Sequence, residues 1–493
     1  MATGLALSVY GLVLVAAACF VWRRPILALY AWVIGLAAHN AVMAALYGAG
    51  VRGGALTALQ AWKEILLGVA LARVALEAFR ARRLAFRVLP VDVLAIAFAV
   101  VVCVYALLPQ SWLDGSADSS AIGLALKHDL VPVGAYFLGR SLIVQRAELV
   151  RLAWTVVGVA GAVAVIGLVD VFFVSISWWR QSAVVDYFHK QLGYDYKGTG
   201  GLPENFIFNT GSEEHFLRRL VSVFLGPLAS AYCFVVALLL ATLLRRRRAL
   251  VAGLCVLIAV ALLFTFSRSS LLALAAGFVV LAYVTRRWWP IAAAVATLAV
   301  SAAWVHVFPH VAPEGKWTQQ DLVQQRNNAQ KNPGASGSAT SLDEPSLNSH
   351  WISLREGART VVHHPQGYGL GNAGQTASRT GTEIKAGESN YTEIGAETGL
   401  LGGLLWTAWG IALLFALIRA RAAAVAGAFG AALVLAVQTD VVGDPWMGYC
   451  LWALAGVALS AVPLSADGDR PARGHRTRSP EGERPRARDR VLP

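Results

Sequence analysis

Apolar residues recur along this chain in runs of about 18 or more, each long enough to cross a hydrocarbon core of roughly 30 Å as a helix. The runs read as helices near 4–22, 25–47, 57–79, 88–107, 121–140, 151–175, 217–244, 249–266, 268–285, 288–308, 400–418, 422–441 and 445–462. Surrounded by lipid, such runs are helical because every backbone group needs an internal partner. Arginines follow every second run: Arg23 with Arg24, clusters at 80–87, 140–151 and 245–248, Arg286 with Arg287, and Arg419 with Arg421. Basic clusters mark cytoplasmic connections, so the N-terminus is expected outside and the basic tail inside. The fifth run carries Lys127, His128 and Asp129 in succession and is expected to enter the membrane only in part.

This pattern predicts an all-α polytopic membrane protein with about 12–13 transmembrane helices and two long extracytoplasmic loops, 176–216 and 309–399. Residues 1–308 hold helices one to ten and the first of those loops. Residues 309–399 form the second, with a flexible first half (polar and Gly/Ser/Asn-rich over 324–346) and a helical second half. Residues 400–462 supply the last helices, and 463–493 read as a disordered basic cytoplasmic tail. Composition agrees: 57% of residues are hydrophobic and 14% charged, too apolar a mixture for one soluble core. The net charge of +13 lies in the short clusters between runs, which argues against nucleic acid as a partner. Cys19, Cys103, Cys233, Cys255 and Cys450 all fall inside runs without metal-ligand spacing and act as small hydrophobes. The first run lacks a basic region before it, so it is expected to be retained as a helix.

Candidate chemistry collects at the outer ends of the runs. Thr265, Phe266, Ser267 and Arg268 join two runs in a tight hairpin and leave an arginine at the tip, where positive-inside bias disfavours it. Arg218 and Arg219 open the seventh run at the same face. In the second loop, 350–364 has a helical pattern with Trp351, Leu354, Ala358 and Val361 on one side and Arg355, Arg359 and His363 on another. Pro365 and Gly367, Gly369, Gly371 and Gly374 end it. Snorkelling at an interface or a solvated helix face would leave the same arginine pattern. Taken together, however, five arginines can converge on one site, and guanidinium forks hold a diphosphate without a metal.

These motifs, in this order, resemble the O-antigen ligase and polymerase superfamily of membrane glycosyltransferases. The resemblance rests on Ala61, Trp62, Lys63 and Glu64; on Arg218 with Arg219; on the Thr265 to Arg268 hairpin; and on the loop residues His364, Pro365, Gln366, Gly367, Tyr368, Gly369, Leu370 and Gly371. Glu388, Ser389, Asn390 and Tyr391, then Glu397, Thr398, Gly399, Leu400, Leu401 and Gly402, extend it. It implies a GT-C-like bundle around an outward-facing cavity and a substrate carried on undecaprenyl diphosphate. It also implies metal-independent, inverting transfer with no cofactor, and arginines matching Arg218 or Arg219 and Arg268 on the diphosphate. Ligases of the family carry a His-Asn pair where this chain has Ser389 and Asn390, with Glu388 just before.

The chemistry of such a transfer asks for a group to take the acceptor's proton and for cations to stabilise the departing diphosphate. Glu388 is the candidate base, with His363 and His364 as rivals. Lys63, Asn390 and Tyr391 are candidate cavity-lining residues, and Asp170, Asp440 and Asp444 lie near outer helix ends. Glu393 and Glu397 read mainly as the start of a packed, small-residue helix, and His39 with Asn40 as interhelical contacts. Trp178, Trp179, Tyr187 and Phe188 offer sugar-stacking surfaces or an interfacial belt. The sequence thus points to a polymerase of undecaprenyl-diphosphate-linked oligosaccharide repeats in the bacterial plasma membrane, working extracytoplasmically and leaving room for a chain-length regulator as a partner. A ligase is the near alternative, and a transporter of anionic lipid-linked substrates the alternative of another class.

Overall fold

The computed structural model describes residues 2–210, 212–323, 326, 345–387 and 389–460, all within the compact unit Met1–Ala461. Glu388, the tail 463–493 and the expected flexible stretch 324–346, apart from 326, 345 and 346, lie outside the described residues. Helices α1 Ala2–Arg23, α2 Leu27–Gly48, α3 Gly54–Gln60, α4 Trp62–Ala81, α5 Pro90–Leu107, α6 Ser119–Ser141 and α7 Arg146–Phe173 open the order. The first long connection holds α8 Ile176–Gln181, α9 Ala183–Asp186, β1 Ile207–Phe208 and β2 His215–Arg218. Then come α10 Pro227–Ala241, α11 Arg248–Phe264, α12 Arg268–Thr285 and α13 Trp289–Val311. The second connection carries β3 Glu314–Lys316, α14 Pro345–His363 and α15 Gly374–Thr380, and α16 Asn390–Arg419, α17 Ala423–Leu435 and α18 Trp452–Ser460 finish the order.

Among the described residues, eight helices are long and apolar enough to cross a membrane. The pair α3 and α4, bent by 43°, and the shorter apolar helices Pro227–Ala241, Arg248–Phe264, Ala423–Leu435 and Met447–Ser460 bring the apolar segments to thirteen. The chain is an all-α polytopic membrane protein. Two of the short helices, α10 and α17, span only about 20 Å at 1.5 Å per residue, less than a hydrocarbon core. Both bury nearly every side chain and so run through the middle of the bundle, while α1 and α13 leave most of their apolar side chains facing outward.

Small residues let the inner helices touch. A Cβ on Gly277 of α12 would stand 2.9 Å from the Gly427 carbonyl of α17, and one on Gly427 would stand 2.8 Å from that of Gly277. Gly139 of α6 and Gly456 of α18 likewise meet the opposing backbones, at the Ala453 and Tyr136 carbonyls. Such contacts supply the van der Waals packing that lipid-facing helices need in place of hydrophobic drive. Near them, Arg140 of α6 grips Asp92 of α5 with two bonds of 3.1 Å, and Tyr136 donates to the same carboxylate at 2.6 Å. Arg140 also donates to the Arg87 carbonyl at 2.8 Å and to Ser460 at 3.1 Å, so α5, α6 and α18 are fastened at the end that carries the arginine clusters.

The opposite end carries both long connections, which fold against each other. β2 pairs antiparallel with β1 and with β3, so the sheet order is β1-β2-β3 and the two connections share it. Trp179, Tyr187, Phe188, Phe206 and Phe216 form a buried core beside the sheet, and Trp178 alone of the expected stacking residues is exposed. Arg180 reaches Asp321 at 2.9 Å, and Asp321 also accepts from Thr199 at 2.7 Å and from the backbone of Thr318 at 3.0 Å and Gly200 at 3.1 Å. Burial would raise the Asp321 carboxyl, but these hydrogen bonds hold it below its ordinary value.

Two helix starts differ from the sequence pattern by about ten residues, and the fifth run, with its three ionisable residues, is an unbroken helix. The seventh helix starts at Pro227, not near 217, because Arg218 lies in β2 and Leu220 donates to the Phe264 carbonyl at 2.9 Å; proline then opens the helix at its first position. The eleventh starts at Asn390, not 400, and breaks at Gly399, whose φ of 70° suits glycine. The fifth forms a full helix of 23 residues, capped by Asp118 on the Ala121 amide at 2.8 Å.

Two outcomes follow from these pairings. Asp92→Ala strands a buried guanidinium and is expected to cost about 3–5 kcal/mol, read as earlier loss of the monodisperse peak when detergent-purified protein is heated; an unchanged transition would sink this account. Because its folded pKa is depressed, Asp321 contributes loop stability that is complete above about pH 4 and fades below it. Hydrogen exchange of 314–321 should therefore accelerate under acid in the wild type, and Asp321→Asn should remove that acid step.

Candidate active site

At the connection-bearing end, three pieces of chain that are far apart in sequence meet in a buried polar centre: the middle of α6, the first turns of α16 and the turn 436–446. Asn390 joins the last two. Its Oδ1 accepts from the Val441 amide at 2.8 Å, its Nδ2 donates to Asp440 Oδ1 at 2.6 Å, and its own amide donates to the Ala436 carbonyl at 3.1 Å. Ser389 Oγ donates to the same carbonyl at 3.2 Å. Asp440 also accepts from the Gly443 amide at 2.7 Å. From α6, His128 turns Nε2 toward Asp440, 3.0 Å from Oδ1 and 3.2 Å from Oδ2, while its Nδ1 lies 2.8 Å from Asp129 Oδ1.

One turn further along α16, Glu393 is buried against Gly374, and the next turn brings Glu397, whose Oε1 accepts from the amides of Gly371 at 2.9 Å and Ala373 at 3.4 Å. The glycine-rich stretch 365–374 thus lies directly on α16. Tyr368 donates to the Ala396 carbonyl at 2.7 Å, Gly369 to that of Glu397 at 3.0 Å, and Leu400 to that of Pro365 at 2.8 Å across the break at Gly399. Asn372 fixes the other side, donating to Gln110 at 2.7 Å and accepting from the Ser116 amide at 2.8 Å. The first connection adds a wall: Tyr194 stacks on Tyr196 at 4.8 Å, holds Gln375 at 3.0 Å, and carries the Arg379 guanidinium 5.3 Å above its ring. Burial pushes the Tyr194 phenol up, and the nearby Asp440 carboxylate adds to that rise.

The arginines expected to converge divide into groups. Arg218 is buried and committed, pairing with Asp170 at 3.4 Å and donating to the Val174 carbonyl. Burial draws its guanidinium below the ordinary value and Asp170 opposes that fall. Arg219 instead crosses to the α11–α12 turn, where its Nε donates to the Thr265 carbonyl at 2.8 Å and its Nη2 to that of Phe266 at 3.5 Å. Arg268 opens α12 from that same turn, its guanidinium 5.9 Å from the Phe266 ring, so Arg219 and Arg268 are brought together. Arg355 and Arg359 stand exposed on α14, which packs on α16 through Gly357 against Thr392 and Val361 against Gly395.

The remaining expected residues fall as follows. His363 is exposed and faces its own helix, with Nδ1 2.8 Å from the Arg359 carbonyl. His364 stacks on Tyr368 at 3.9 Å, with Nε2 3.2 Å from the Leu113 carbonyl. Lys63 is buried, donating to the Gln60 carbonyl at 2.7 Å and lying 3.5 Å from Glu64, which also faces Lys127 at 3.4 Å. Asn390 is wholly buried, and the Tyr391 hydroxyl donates to the Leu433 carbonyl at 3.0 Å. His39 accepts from Trp62 at 3.2 Å and Asn40 donates to Phe224 at 3.0 Å, each across helices. His128 and Asp129 were absent from the expected site, although three ionisable residues in succession inside an apolar run are themselves a signal of function. A cavity of about 370 Å³ lined by Arg24, Glu148 and Arg151 opens at the arginine-bearing end, away from the polar centre.

Fold and site together define a polytopic membrane protein with an ionisable centre sealed beneath a folded loop. Residues 253–407 match the family model described as O-antigen ligase, and this match supports the resemblance to the O-antigen ligase and polymerase superfamily over that part of the chain. The match takes in the Thr265 to Arg268 turn, α14 and the start of α16, and leaves Arg219, His128 and Asp440 outside. A search of curated proteins finds no match. The match supports a membrane enzyme of the kind that acts on lipid-linked glycan.

Asn390→Ala tests the junction of the centre. It takes the Asn390 oxygen from the Val441 amide, which keeps only the Thr439 carbonyl at 3.1 Å, and removes the shortest hydrogen bond to Asp440, a loss of about 1–3 kcal/mol. Proteolysis of the 436–446 turn in mild detergent is expected to quicken severalfold; unchanged cleavage would show that the junction is held by something else.

Proposed function

We propose that this enzyme polymerises undecaprenyl-diphosphate-linked oligosaccharide repeats at the outer face of the bacterial plasma membrane, with both long connections on that face. The observation that carries this reading is the meeting of Arg219 and Arg268 at one turn. Two guanidinium groups from separate stretches, at a helix start, suit the oxygens of a diphosphate. In the transfer, an acceptor sugar hydroxyl of one repeat attacks the anomeric carbon of the glycan on another carrier. The bond from that carbon to the diphosphate oxygen breaks, the configuration inverts, and the charge left on the lipid diphosphate is taken up by the arginines. Cationic side chains that meet developing charge in a site screened from water contribute strongly to such a step.

The acceptor's proton passes to a base. Glu388, which precedes Ser389 in the sequence, is our candidate; His364, held in the loop by Tyr368 and Leu113, is the alternative, ahead of the exposed His363. A ligase reading draws on the description of the matched family, and Ser389 in place of a ligase histidine weighs for polymerisation.

Purified protein given a lipid-diphosphate oligosaccharide from its host is expected to form a ladder of products on a gel. Arg268→Ala and Arg219→Ala should each lower the rate about 100-fold or more with fold retained. Glu388→Gln should abolish the ladder while leaving lipid-diphosphate binding intact. A single product transferred to a different acceptor, with no ladder, would replace polymerase by ligase; full activity in both arginine variants would overturn the diphosphate assignment.

A further inference from the structure

We propose that His128, Glu393 and Asp440 form a binding site for one divalent cation of the zinc or manganese kind, clamping α6, α16 and the 436–446 turn together. One donor atom from each residue lies within 4.8 Å of the other two. The separations of His128 Nε2 from the Asp440 oxygens, 3.0 and 3.2 Å, match the edge of a coordination shell, where bonds of roughly 2.0–2.2 Å set neighbouring donors about 3 Å apart.

The surroundings point the same way. Asp129 lies 2.8 Å from His128 Nδ1, the position from which a carboxylate holds a ligating imidazole by its other ring nitrogen. With the proton on Nδ1, Nε2 would turn its lone pair toward Asp440, the arrangement a cation between them would use. Glu393 is only 2% exposed, and its Oε2 has no hydrogen-bond partner. An oxygen of this kind, deep in a bundle, is costly unless something positive completes it. Gly374 gives the Glu393 carboxylate its room, since a Cβ there would collide with Oε1.

Charge balance adds a third reason. Asp129, Glu393, Glu397 and Asp440 bring four carboxylates to the centre. Lys63 and Lys127 are both directed at Glu64, Lys385 at Glu383, and the Arg379 guanidinium is held by Tyr194 and the Leu192 carbonyl. One imidazole with two carboxylates suits zinc or manganese better than calcium, which prefers oxygen alone. The diphosphate is assigned to arginines, so this cation joins structural elements and the assignment stands apart from the glycan chemistry.

The test reads metal, not transfer. Full-length protein in detergent is stripped with EDTA, dialysed separately against zinc and manganese, and its metal content and melting temperature are measured. About one equivalent with a raised melting temperature is expected. Glu393→Gln and His128→Gln should lose that equivalent, and Asp129→Asn should weaken affinity some 10–100-fold while staying folded. Background metal and an unmoved melting temperature in the wild type would overturn the site and leave a protonated imidazole between Asp129 and Asp440. Equal binding by wild type and both ligand variants would overturn it too, by placing the metal elsewhere.

Discussion

A charge inside a bundle that faces hydrocarbon survives only if the bundle itself supplies its partner, and most of this structure's ordering can be traced to that condition. Asp92 has Arg140 and Tyr136; Asp170 has Arg218 and the Trp179 indole at 2.7 Å; Asp440 has His128, Asn390 and a backbone amide. Each group joins segments that hydropathy alone would leave free to slide. Apolar packing in lipid fixes few angles or registers, whereas these polar ties admit one arrangement.

The ties lie near the two ends of the bundle, and its middle is closed by small residues. Arg140 locks α5, α6 and α18 at one end, and the Asn390 junction locks α16 to the 436–446 turn at the other. Between them Gly277 and Gly427 bring α12 and α17 to backbone contact. The turn at which Arg219 and Arg268 meet is therefore mounted on a stiff frame, with Leu220 bonded to the Phe264 carbonyl and Trp304 to that of Leu263 at 2.8 Å. A frame of this kind holds two guanidinium groups in place without help from a ligand.

Much of this architecture is legible in sequence because it depends on composition over short windows. The thirteen apolar runs, the arginine clusters between them, the Thr265 to Arg268 turn and the helix that became α14 are all local patterns. What was not legible depends on partners elsewhere. Nothing near Arg218 announces that it ends the middle strand of a three-stranded sheet, because one of the two strands flanking β2, β3, lies almost a hundred residues on. Hydropathy likewise starts the eleventh helix near 400, since Glu393 and Glu397 look too polar to be buried until Gly374 and the Gly371 amide are set against them. His128 reads as a reason to doubt its helix, although in the fold it is the residue that ties α6 to Asp440.

The break at Gly399 has a bearing on how the protein is made. Above it, the first turns of α16 are finished by backbone groups of Pro365, Tyr368 and Gly369, which leave the ribosome some thirty residues earlier. Insertion machinery selects segments on their own hydrophobicity, and only the stretch after the break, 400–419, qualifies by that standard. α16 is thus two segments joined at a glycine: 400–419 is apolar enough to be held by lipid alone, whereas the turns before the break rely on the glycine-rich stretch to satisfy the backbone groups that the break leaves open.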